Sequence, residues 1–174
     1  MSCEIVGTER TLYVVWGTPE LIDVERVISH LQRRFEKTQE RLLYVSRVPV
    51  GAPAPTPEVR RLLSARMDVF LRLCAGFCII LEGDGFSSAV KRAVLTSLFF
   101  VTLGRGTLHV YSTIDELKKN VTEEWRPELA QLLHLAEQED LLIGRIPSER
   151  HTDESGNFLV NRGRVQRRKD SNVA

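Results

Sequence analysis

The sequence predicts a layered α/β fold: a sheet of about four to five mostly parallel strands with helices packed on it, plus a C-terminal helix. Three observations carry the prediction. Between Thr11 and Val121, short runs of β-branched and aromatic residues alternate with stretches of helical periodicity. The connections between successive strand candidates are long enough to hold a helix, so successive strands can lie parallel. One run, GFCIILEG, is apolar throughout and bounded by glycines, the pattern of a strand covered on both faces.

TLYVVWG, Thr11 to Gly17, is the first extended run, and CEIV just before it supplies a short pairing strand. Thr18 as N-cap and Pro19 at the first helical position then open a helix, with Leu21, Val24, Ile28, Leu31 and Phe35 at helical spacing. RLLYVSRVPV reads as a strand. The breaker-rich GAPAPTPE follows, and its Thr56-Pro57-Glu58 repeats the cap, proline and acidic-residue signature. The second helix that starts there has Val59, Leu62, Leu63, Phe70 and Leu73 on its apolar face.

GFCIILEG then forms the expected middle of the sheet. A third helix runs from about Ser87 to Val101, GRGTLHVYS turns into a further strand, and Thr113 with Glu116 makes a capping box for IDELKKNV. The α/β domain is expected to span residues 1–121. Residues 122–143 form a C-terminal amphipathic helix with Leu129, Leu132, Leu133 and Ala136 as its stripe, and residues 144–174 form a polar, disordered tail.

The net charge of +1 gives no global reason to expect nucleic acid or an acidic membrane surface as partner. Cys3, Cys74 and Cys78 are odd in number and lack C-x-x-C spacing, which argues against a disulfide framework or a zinc knuckle and suits a reducing cytoplasm. No window reaches the roughly 18 apolar residues that a membrane span needs. A cytoplasmic protein without cofactor or metal is the expectation.

The turn EGDGFSS lacks the G-K-[ST] ending of a phosphate-binding loop and the third glycine of the dinucleotide pattern, so its glycines serve the turn. Glu82 and Asp84, with His109 on the adjoining strand, are the residues for an enzymatic reading, set against a plain charged turn. His30, His109, His134 and His151 show no metal-binding pairing. Cys78 lies inside an apolar strand and reads as inert packing. The basic run Arg162, Arg164, Arg167, Arg168 and Lys169 contains no aromatic residue and reads as a solvated tail or one that docks on an acidic protein surface.

The segments GFCIILEGDGFSSAVKRAVLTSLFF and LHVYSTIDELKKN resemble the strand, serine-started helix, strand, helix order of STAS-like domains, the anti-sigma-factor-antagonist fold. The resemblance covers about Thr11 to Val121. In regulatory members of that family a serine at this helix start accepts a phosphate and switches binding to a partner kinase or sigma-regulating protein; by position, Ser87 or Ser88 matches. The usual Asp-Ser-Ser-Gly is replaced by Phe86 before the pair and Ala89 after it. A phosphate there would sit at the positive end of the helix dipole, near Lys91 and Arg92. The alternative is that one serine only caps the helix.

The same helix is apolar nearly all round in its C-terminal half, through Leu95, Phe99 and Phe100. Either a neighbouring helix covers it, or it is a protein-partner or homodimer surface. The resemblance therefore implies a non-enzymatic regulatory interaction module of bacterial type. A small apolar ligand or lipid carrier is the alternative, with the Phe86 to Phe100 helix as a pocket wall.

Overall fold

The computed structural model describes residues 3–83 and 108–142. Its first two extended runs form a hairpin: β1 (Cys3–Gly7) pairs antiparallel with β2 (Thr11–Trp16), Cys3 opposite Trp16 and Gly7 opposite Leu12. Thr8 Oγ1 closes the turn by accepting from the backbone N–H groups of Arg10 and Thr11. Gly7 has no room for a side chain, since a Cβ there would stand 2.4 Å from the Thr11 carbonyl oxygen. From β2 onward the strands are parallel: β3 (Leu42–Val48), β4 (Cys74–Leu81) and β5 (Leu108–Tyr111), in the order β1-β2-β3-β4-β5. The α/β class and the mixed, mostly parallel sheet are as the sequence predicts, although the centre of the order is β3 and not β4.

Helix α1 spans Leu21–Thr38, and its start differs from the expected one. Thr18 is not the cap and Pro19 is not the first helical residue. The N-cap is Glu20, whose backbone N–H donates to the Asp23 carboxylate at 3.0 Å, and Asp23 is buried beneath the helix start. A carboxylate three residues in satisfies the orphan donor that Thr18 was expected to serve.

The second expected helix is two: α2 (Pro57–Ala65) and α3 (Met67–Leu73), divided at Arg66 where the backbone leaves the helical region at φ −99° and ψ 1°. Thr56 Oγ1 accepts from Val59 N, and Pro57 follows it, as the sequence indicated. Helix α4 (Ile114–Asn120) starts on Thr113, whose hydroxyl accepts from Glu116 N at 3.1 Å. The Glu116 carboxylate returns to the N–H of Ser112 instead of that of Thr113. A 3₁₀ turn (Glu123–Trp125) leads into α5 (Arg126–Gln138).

Strand alternation divides the core in two. Leu12, Val14, Trp16, Tyr44, Phe77 and Ile79 face α1, α2 and α3. Tyr13, Val15, Leu43, Val45, Cys78 and Ile80 face α4 and α5, whose Leu129, Leu132, Leu133 and Ala136 are all buried. Fully burying each such leucine is worth roughly 1.5–3 kcal/mol, so α5 is bound to the sheet by the stripe read from the sequence. Among the described residues no helix is long and apolar enough to cross a membrane.

Candidate functional site

Trp16 ends β2, Tyr44, Ser46 and Val48 alternate along β3, and Phe77 and Ile79 alternate along β4. Period-two geometry puts all of them on the α1–α3 face, where they line one pocket at the carboxyl ends of the parallel strands. Pro53 and Pro55 from the loop before α2 close one side, and Leu63, Met67 and Phe70 from α2 and α3 close another. The pocket volume is about 90 Å³. Open α/β sheets place ligands outside the carboxyl ends of their strands.

An aromatic cluster forms the floor. The Tyr44 ring lies 4.4 Å from Phe77 and 5.7 Å, edge-on, from Phe70, centroid to centroid. Its polar groups are few: Trp16 Nε1 donates to the Tyr44 hydroxyl at 3.3 Å, and that hydroxyl also meets Ser46. Burial raises the Tyr44 pKa far above the usual phenol range, so the hydroxyl stays protonated. Among the described residues that line the pocket there is no Asp, Glu, His, Lys, Arg or Cys. These residues can hold an apolar group and offer one hydroxyl pair to a polar atom.

The opposite face carries a charged constellation at the same end of the sheet. Arg47 on β3, almost wholly buried, donates Nε to Glu82 Oε1 at 2.7 Å and Nη2 to Glu82 Oε2 at 3.0 Å. Its Nη1 donates to the Leu141 carbonyl at 2.8 Å. The Tyr13 hydroxyl lies within the electrostatic reach of both charges, is buried, and has no hydrogen-bond partner among the described residues. Burial, the largest effect on it, raises its pKa.

Glu82 is thus the counter-ion of a buried guanidinium. His109 is exposed on β5, its ring stacked 6.1 Å from that of Tyr111. Its register partner on β4 is Cys78, four residues before Glu82, or roughly 13 Å of strand. The structure does not bring Glu82 and His109 together as an acid–base pair. Asp84 lies outside the described residues, as do Ser87, Ser88, Leu95, Phe99, Phe100, His151 and the basic run from Arg162. Cys78 is buried with its thiol pushed up to about 12 by desolvation, as inert packing requires. No group of three metal-ligating side chains occurs among the described residues.

Arg47 was absent from the sequence-based candidates although a signal for it existed. Period-two alternation from Leu43 and Val45 places Arg47 on a core-facing position, where a charge demands a partner. The pocket had no comparable signal, because its lining comes from three strands, two helices and two loops. No protein-family model, curated protein or solved structure matches the chain.

Proposed function

We propose that this chain is a non-enzymatic regulatory interaction module, STAS-like in architecture, that anchors a partner protein by taking one of its apolar side chains into the pocket beside Tyr44. The pocket's size and lining together carry the reading. At about 90 Å³ it is smaller than the roughly 150 Å³ cavity that accommodates benzene, which suits a single branched aliphatic side chain and is small for a lipid chain. Buried anchors in apolar pockets supply most of the binding energy at protein interfaces. Leu21, Ile22 and Val50 are exposed apolar residues at the same end of the sheet, on the start of α1 and in the loop after β3. They give a partner apolar surface around its anchor.

The regulatory half of the proposal rests on the resemblance, with Ser87 or Ser88 as the phosphate acceptor and Leu95, Phe99 and Phe100 as further interface. A small apolar ligand is the second reading, favoured by the hydroxyl pair of Tyr44 and Ser46 in an otherwise apolar lining. Leu63, half-buried at the pocket wall, provides the test. Affinity capture from native cells with the parent chain and with Leu63→Trp is expected to recover a stoichiometric partner on the parent alone. Equal recovery on both overturns the pocket's role. A small molecule on the freshly purified parent, seen by native mass spectrometry and lost from Leu63→Trp, replaces the anchor by a ligand.

A further inference from the structure

Strand β1 is at the edge of the sheet, and a groove of about 550 Å³ runs along it. Its floor is Cys3, Glu4, Ile5 and Val6; one wall is Arg26 and His30 of α1, and the other is Glu139 and Leu141 at the end of α5. Two observations fix which backbone groups of β1 point into it. Leu43 N donates to the Arg10 carbonyl across the parallel pair, so by alternation Leu12 and Val14 turn their backbone groups to β3, and Tyr13 and Val15 turn theirs to β1. The residues opposite them, Val6 and Glu4, are the ones hydrogen-bonded to β2. Cys3, Ile5 and Gly7 then point theirs outward. In agreement, the Cys3 carbonyl accepts from Arg26 Nη2 at 2.7 Å. Among the described residues the outward N–H and C=O of Ile5 meet no partner.

An edge strand in this state is a template for another strand, and β1 carries neither proline nor lysine to block pairing. The charges around it select what pairs. Side chains of an added strand alternate between the two walls. On the α1 side they meet Arg26, which also lies 3.9 Å from the buried Asp23 carboxylate, and His30, whose pKa is lowered by burial and then by the charges of Arg33, Arg34 and Arg26, a cluster in which the positive side chains outnumber Asp23. On the α5 side they meet Glu4, Glu139 and Leu141.

We propose that the β1 edge binds an extended segment of a partner protein that pairs with Ile5 as a sixth strand, its alternate residues acidic toward α1 and basic or apolar toward α5. A second copy of the chain fits less well. Antiparallel pairing of β1 with itself keeps α1 of both copies on one side of the joined sheet, so Arg26 and His30 face their own duplicates. The basic run from Arg162 to Lys169 likewise brings the wrong sign to the α1 wall.

The test uses the full chain and a synthetic eight-residue peptide alternating glutamate with valine or lysine. The Ile5 amide is expected to exchange freely in the unliganded chain and to slow at least about tenfold with peptide. N-methylation of the peptide's amides abolishes this protection. A charge-reversed peptide, lysine for glutamate and glutamate for lysine, binds about tenfold more weakly or worse. Equal binding of the charge-reversed or the N-methylated peptide overturns the proposal. So does an Ile5 amide already protected without peptide: protection that grows with protein concentration assigns the edge to a second copy, and protection independent of concentration assigns it to the chain itself.

Discussion

Arg47 and Glu82 form a two-pronged ion pair at the carboxyl ends of β3 and β4, and the remaining guanidinium nitrogen of Arg47 holds the Leu141 carbonyl just beyond α5. One buried side chain thereby ties two strand ends to the chain leaving the last helix. Removal of one partner from such a pair leaves a buried charge without compensation.

Glu82→Ala is accordingly expected to destabilise the fold by about 2–5 kcal/mol. Replacing both partners, Arg47→Met with Glu82→Leu, recovers most of that loss, because the cost lies in the orphaned charge. Urea unfolding with an unchanged slope measures both. A single variant within about 0.5 kcal/mol of the parent would show that water already reaches the guanidinium.

Tyr13→Phe removes a buried hydroxyl that has no hydrogen-bond partner among the described residues. Such a group carries a desolvation penalty without return, so the variant is expected to match the parent or exceed it by up to about 1 kcal/mol. A loss larger than about 1 kcal/mol means that the hydroxyl is satisfied by a bound water.

Thr56 and Thr113 accept from the backbone N–H groups of Val59 and Glu116, while Thr18 lies two residues before the actual cap of α1. Thr56→Ala and Thr113→Ala should each cost about 1 kcal/mol, and Thr18→Ala should cost nearly nothing. Thermal midpoints of the three single variants, compared in one buffer, check the assignment. A Thr18→Ala loss equal to the other two contradicts it.

Burial pushes the thiols of Cys3, Cys74 and Cys78 from 9.0 up to about 12. Between those values the unfolded chain has released protons that the folded chain keeps. Stability from this source is therefore fully present below about pH 9 and lost as the pH rises toward about 12. The urea midpoint should fall between pH 8 and pH 10.5, and Cys78→Ala should make that fall smaller. An identical fall in the variant assigns the alkaline loss to other groups.

The sequence by itself determined the α/β class, the hairpin entry through CEIV and TLYVVWG, the caps at Thr56 and Thr113, and the stripe of α5. Each depends on neighbours a few residues apart: alternation of two, helical spacing of three and four, or a hydroxyl beside the N–H it serves. Tertiary structure alone decided the break at Arg66, the replacement of Thr18 by the Glu20–Asp23 cap, and the meeting of Trp16, Tyr44, Phe70 and Phe77 around one pocket. It also decided that Glu82 would be claimed by Arg47. These outcomes depend on strand register between segments far apart in the chain, and a one-residue slip there turns every side chain to the opposite face. Alternation along β3 shows that Arg47 must be buried, but only the register of β4 against β3, Val48 opposite Leu81, places Glu82 beside it.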